Sequence, residues 1–231
     1  MSRTVNVVRM QLVNRMTYVW VPLIVLVGSF LVTLAIYGIL ANAGVSGPKY
    51  GGGAQAPLWV FLSVGIYALT LTFPFSQAMS VTRREFFGGT MLSAMLTSAL
   101  LAAVFLVGGL LESITGGWGM EGYFFYLPWI WAAGPAIATV FYFTIALLFF
   151  IVGFWSATIY KRFGPIGLTI VLVGLGVLLV AGLFFIGRAN AWAQVFTWFA
   201  ELGVSGLTLG GLLVSALLAA IAYVTLRRTI P

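Results

Sequence analysis

Histidine, cysteine and aspartate are all absent from this chain, so few of its residues are able to do chemistry. The densest group runs from Thr82 to Phe87. Thr82, Arg83, Arg84, Glu85, Phe86 and Phe87 bring together a hydroxyl, two guanidiniums, a carboxylate and two aromatic rings, and Gly88 and Gly89 follow directly. These side chains suit charge-assisted binding of a partner. A short helix N-capped by Ser80 or Thr82 would present Arg83, Arg84 and Glu85, with Phe86 and Phe87 anchoring it at a membrane interface. Catalysis is a poorer fit. Proteolysis by a Ser/His pair needs a histidine, metalloprotease chemistry has no ligand set, and disulfides and thiolate metal sites need cysteine. A phosphate-binding GxxxxGK[ST] loop is missing too, because Lys49 is followed by Tyr50 and Lys161 by Arg162. The chain is therefore expected not to be an enzyme and to hold no cofactor; any energy for work comes from a partner.

The elements that must position this segment follow from composition. Of 231 residues, 62% are hydrophobic and 6% charged, and the mean hydropathy is +1.13. A soluble domain cannot cover such a surface with water-compatible groups. Six apolar stretches are each about as long as the roughly 20 residues needed to cross a bilayer: Tyr18 to Ala41, Pro57 to Met79, Thr90 to Leu111, Gly134 to Ile159, Gly164 to Gly187 and Gly206 to Leu226. The expected fold is all-α, a single polytopic membrane domain over 1–231, with residues 1–17 as an amphipathic helix and 18–226 as a six-span bundle. One face then receives Arg3, Arg9, Arg15, Arg83, Arg84, Lys161, Arg162, Arg227 and Arg228 against Glu85 alone. The other receives Lys49 and Arg188 against Glu112, Glu121 and Glu201. This alternation is the positive-inside pattern, with both termini cytoplasmic. It assigns the net charge of +7 to topology and lipid headgroups, not to nucleic acid.

Ala41-Asn42-Ala43 has the small-x-small form of a signal-peptide cleavage site, but the apolar run before it exceeds the roughly 7–15 residues of a signal peptide. It is read as the first span. Ahead of it, Val5, Val8, Leu12 and Met16 recur at helical spacing between Arg3, Arg9 and Arg15, predicting a helix lying in the cytoplasmic interface. Among the outward connectors, the stretch from Glu112 to Ala133 carries Trp118, Tyr123, Phe124, Phe125, Tyr126, Trp129 and Trp131 and reads as an interfacial aromatic belt. Ser46 to Gly53 reads as a flexible loop. Trp192, Val195, Phe196, Phe199 and Leu202 predict a short interfacial or re-entrant helix before the last span. Thr90, Ala94, Ser98 and Ala102 form a row of small residues, as do Gly206 with Gly210 and Gly211 with Ser215 and Ala219. Such rows predict close helix packing within or between subunits. Pro74 predicts a kink in the second span.

The spans carry no ionisable residue to couple an ion, and no charged ring or carbonyl-lined filter is visible. Transport by this chain would thus need an energising partner. At this point SVTRREFFGGTML, between the second and third spans, resembles the cytoplasmic connector of type-2 ABC transporter permeases. Also similar are the basic amphipathic N-terminal helix, six spans with both ends inside, and a helix between spans five and six, near Ala191 to Gly203. The resemblance implies a permease subunit of a bacterial plasma-membrane exporter. Thr82 to Phe87 would form a short cytoplasmic coupling helix, and Lys161 and Arg162 a second cytoplasmic contact. It implies two copies of a cytoplasmic ATP-binding subunit, which bind the ATP and Mg, and a second permease copy or relative. The lipid bilayer surrounds the assembly, and the substrate is amphipathic or hydrophobic: a drug, peptide or lipid-like molecule. On this reading, replacing Phe86 and Phe87 by alanine would uncouple ATP hydrolysis from transport. A membrane solute-binding component of a vitamin importer, and a non-transport assembly or immunity subunit, remain alternatives.

Overall fold

The computed structural model describes residues 3–227; the expectations for Arg228 and for the Arg3 side chain lie outside the described residues. In chain order the elements are α1 (Arg3–Val13), a π-helical turn (Met16–Trp20) continuing into α2 (Val21–Asn42), β1 (Lys49–Tyr50), a 3₁₀ turn (Gly52–Gln55), α3 (Ala56–Thr70), α4 (Thr72–Ala78), α5 (Arg83–Thr115), a left-handed turn (Gly117–Glu121), β2 (Gly122–Tyr123), α6 (Pro128–Trp131), α7 (Pro135–Arg188) and α8 (Trp192–Arg227). Among the described residues, five helical stretches are long and apolar enough to cross a membrane: Met16–Asn42, Gly52–Ala78, Arg83–Thr115, Pro135–Arg188 and Trp192–Arg227. Among the described residues the fold is all-α apart from one two-residue parallel pairing, Lys49 with Gly122 and Tyr50 with Tyr123.

The 54 residues of α7 would reach about 80 Å as one rod, more than twice the hydrocarbon thickness of about 30 Å. The helix is broken at Gly164 (φ 71°, ψ −175°), with Pro165 next. Only glycine takes that backbone without strain, and proline suits the first position of the helix that resumes, where its missing N–H is no loss. A matching break interrupts α8 at Gly203 (φ 56°, ψ −170°). The kink expected from Pro74 lies at the junction of α3 and α4, where the ring removes a donor and crowds the carbonyl four residues back.

Helix contacts depend on missing side chains. A Cβ on Gly65 would overlap the Phe150 carbonyl oxygen of α7, and one on Gly153 would overlap the Leu62 carbonyl oxygen of α3. The two backbones therefore approach as closely as small residues allow. Phe61, Phe73, Phe86, Phe150 and Phe154 fill the core around this contact. On α5, Thr90, Ala94, Ser98 and Ala102 are all buried, so this row packs within the chain itself. Gly211 closes on Thr144, whereas Gly210 has open space around it. From Leu172 to Val180, α7 is exposed, an apolar surface suited to hydrocarbon and not to water.

Two segments differ from the sequence reading. The first is α1, which packs against the start of α5: a Cβ on Gly89 would fall 2.5 Å from Val7 Cβ, and Gln11 Nε2 donates to Thr90 Oγ1 at 2.8 Å. Its buried face is Val7, Val8 and Gln11, while Val5 and Met16, expected in the acyl boundary with Val8 and Leu12, are exposed. The second is the Ser46 to Gly53 loop, expected to be flexible. It is held by the β1–β2 pairing, by Lys49 Nζ donating to the Met120 carbonyl at 3.0 Å and by Gly51, which leaves room for the Tyr37 ring.

Candidate functional site

The Arg83 end of the bundle gathers most of the residues predicted to dock a partner. Thr82 is the N-cap of α5, with extended backbone (φ −70°, ψ 152°). Glu85 N donates to Thr82 Oγ1 at 3.3 Å, and Thr82 N donates to Glu85 Oε2 at 3.0 Å, completing a capping box. Its cost is that Thr82 and Glu85 satisfy each other. Arg83 Nη1 donates to the Arg227 carbonyl at 2.6 Å, tying the first turn of α5 to the end of α8. Arg84 is exposed beside them.

The coupling segment folds differently from the expectation. Residues 83–87 do not form a separate short helix; they are the first turns of the 33-residue α5. Phe86 and Phe87 are not interfacial anchors either. Phe86 is fully buried with its ring 5.1 Å from Phe73, and Phe87 lies 5.0 Å from Tyr223 and 6.0 Å from Phe154. Thr82 ends the preceding turn, and nothing after it stops a helix before Gly116. Replacing Phe86 by alanine is therefore predicted to lower stability by about 3–5 kcal/mol, read as a lower thermal midpoint in detergent. The Phe86/Phe87 double alanine would report on folding and not on coupling.

Lys161 and Arg162 lie at this same end. Phe105 pairs with Tyr142 and Phe87 with Phe154, so α5 and α7 run antiparallel, and Lys161 extends past Phe154 as Arg83 extends past Phe87. Lys161 is exposed, and the Arg162 guanidinium sits 4.7 Å above the Phe163 ring, a cation–π contact. Between α1, α5 and α8, an open hollow of about 500 Å³ is lined by Thr4, Arg84, Glu85, Phe87, Gly88 and Tyr223. Sequence reasoning missed α1 as one of its walls. The available signal was the Gly88-Gly89 pair, which clears space for it.

The opposite end is organised by Glu112, which the sequence reading placed at the start of an outward connector with an interfacial aromatic belt. Its carboxylate is fully buried near the end of α5. Oε1 accepts from Trp118 Nε1 at 2.8 Å and Phe124 N at 3.0 Å. Oε2 accepts from Phe125 N and Tyr126 N, both at 2.7 Å. Both carboxylate oxygens are thus used twice over, and the geometry fixes the segment that donates to them. These bonds fold the predicted aromatic belt inward: Phe124, Phe125 and Trp131 are buried, and Trp129 is 54% exposed. The Phe125 ring packs 5.4 Å from Phe30, 5.2 Å from Phe105 and 4.7 Å from Phe124.

Comparison with known families, known proteins and solved structures finds no match for this chain. The geometry of the two ends therefore carries the functional reading. No group of three or more potential metal ligands occurs among the described residues.

Proposed function

We propose that this chain is the membrane-spanning permease subunit of an ATP-binding cassette exporter, driven by separate cytoplasmic ATPases that dock at the Arg83 end. The observation that carries the reading is the placement of exposed Arg84 on the same turn of α5 as Phe86. The guanidinium is free to meet a partner, while the ring two residues on is locked into the core. A push on that end of α5 is passed to the bundle as a rigid-body displacement, because a close-packed core transmits strain.

Six spans with both termini on the cytoplasmic face complete the proposal. Val204 and Leu207 of α8 cluster with Ile130, Trp131 and Ala138 at the Glu112 end, and Tyr223 meets Phe87 at the Arg83 end. With Phe154 also at the Arg83 end, the α7 residues beyond Gly164 are the part of the chain that returns to the Glu112 end. Residues 165–188 would cover about 36 Å as a helix, enough for a fifth crossing. Helix from Trp192 to the break at Gly203 then supplies the interfacial helix before the sixth. On this topology Arg9, Arg15, Arg83, Arg84, Lys161, Arg162 and Arg227 share the cytoplasmic face, in keeping with the positive-inside bias. A second permease copy or relative completes the path for an amphipathic or hydrophobic substrate in the bacterial plasma membrane.

The test is co-purification of the tagged chain from its native cells in mild detergent. A soluble ATPase is expected at near-equal amounts with the unmodified chain, and its recovery is expected to fall at least tenfold with Arg84→Glu, a charge reversal at a close contact worth about 1.4 kcal/mol or more. Arg84 is the better probe because Arg83 also holds the α8 carboxyl end. An ATPase retained in full by Arg84→Glu would remove this docking site, and a chain that arrives without any ATPase would remove the permease reading.

A further inference from the structure

Near the Glu112 end, α3, α5, α6 and α7 enclose a cavity of about 190 Å³. We propose that it binds the compact hydrocarbon end, an aromatic ring or a branched alkyl group, of a neutral amphipathic molecule whose polar group meets Gln55 at the mouth. Leu58, Leu101, Phe105, Ile130 and Phe141 supply apolar and aromatic wall. Inward of Gln55 and Trp129 at the mouth, the one polar side chain in the wall is already used, since Tyr142 Oη donates to the Phe125 carbonyl at 2.8 Å. No charged residue lines the space. Beyond the mouth no side chain is left to hold water, the condition under which an apolar cavity stays dry, and one of about 150 Å³ with such a lining accepts benzene. This one has room for a ring with a small substituent.

The mouth sets the rest of the ligand. Gln55 and Trp129 line the cavity and are both exposed, and the Gln55 amide makes no hydrogen bond to any other described residue. An amide can donate and accept, so it suits a hydroxyl, ester or amide and gives an ionised group no charge partner. Trp129, edge-on to Phe141 with ring centroids 5.6 Å apart, is placed to flank the ligand where it leaves the cavity. Apolar walls with one convergent polar group are the common form of a small-molecule site. This site needs no ATPase and lies away from the Arg84 face, so it stands or falls separately from the permease reading.

The experiment uses the full chain in lipid nanodiscs, photolabelled with trifluoromethyl-diazirinyl benzyl alcohol and, in parallel, with the same diazirine lacking the hydroxyl; labelled peptides are mapped by mass spectrometry. The lipid-exposed residues 166–185 serve as the internal reference. Saturable labelling of peptides containing Leu101 and Phe141, competed by excess benzyl alcohol, is expected. Ala54→Phe, which puts a ring into the lining, is expected to reduce it about tenfold, and Gln55→Ala about fivefold for the hydroxyl probe alone, the size of one lost hydrogen bond. Labelling that rises linearly with probe and matches residues 166–185 would overturn the site. So would equal labelling of Ala54→Phe and the unmodified chain. If Ala54→Phe does not fold, Gln55→Ala decides: failure to separate the two probes rejects the assignment.

Discussion

Glu112→Ala is expected to be among the most damaging single side-chain truncations in the protein, lowering stability by about 3–5 kcal/mol. The carboxylate accepts from one indole and three consecutive backbone N–H groups at 2.7–3.0 Å. Its removal leaves four donors without an acceptor in a buried site, and each unsatisfied group costs about 1–3 kcal/mol before relaxation. For a chain of this size the loss corresponds to a fall in thermal midpoint on the order of 10 °C, measured by tryptophan fluorescence in detergent. Glu112→Gln keeps the shape but turns an NH₂ toward N–H groups, so it should recover little of the loss. Proteolysis offers a second readout: the 117–127 segment, intact in the unmodified chain, should become cleavable in both variants. An unchanged midpoint in Glu112→Ala would mean that the aromatic packing around Phe125 holds this end without the carboxylate.

The second large effect is steric. Gly65→Leu or Gly153→Leu would drive a side chain into the facing backbone, at the Phe150 carbonyl and the Leu62 carbonyl respectively. Overpacking a tight core ordinarily costs about 1–3 kcal/mol. Here the obstacle is backbone on both sides and cannot swing away, so the α3–α7 contact must open. The expected outcome is loss of the monodisperse peak on size exclusion for either variant. Gly174→Leu, on the exposed part of α7 where nothing lies within 4 Å of a Cβ, should leave the peak in place. A monodisperse Gly65→Leu protein would show that α3 and α7 slide past one another more freely than their packing indicates.

What was legible in the sequence was local. Apolar runs of membrane-crossing length mark the long helices, Thr82 stands out with Ser80 as an N-cap candidate, though the helix it starts is α5 itself, and Pro74 marks a break. What was not legible depends on partners far away in the chain. Phe86 lies beside two arginines and a glutamate and so reads as interfacial, yet its ring meets Phe73 across the α4–α5 turn. Glu112 follows an apolar run and precedes a glycine pair, which reads as the start of an outward connector. Its acceptors are matched only when the chain doubles back through left-handed turns at Gly116, Gly117, Trp118, Gly119 and Glu121. The overlooked signal is the pairing of glycines inside α5. A glycine in a helix interior costs about 1 kcal/mol against alanine, so two adjacent pairs need a reason. Gly88-Gly89 clears space for Thr4 and Val7, and Gly108-Gly109 for the rings of Phe125 and Trp131.

The place where α1 rests also bears on how the protein is made. Gln11 and Thr90, which hydrogen-bond in the finished structure, are 79 residues apart. At synthesis rates of about 5–20 residues per second, the N-terminal helix exists for roughly 4–16 s before its binding surface has even been translated. During that interval α1 has no part of α5 to cover Val7 and Gln11. Its interfacial amphipathic pattern, with valines and leucine between arginines, thus describes the nascent chain, and the burial of Val7 and Gln11 describes the mature one. A single stretch of sequence serves two successive environments, and the handover between them waits on α5.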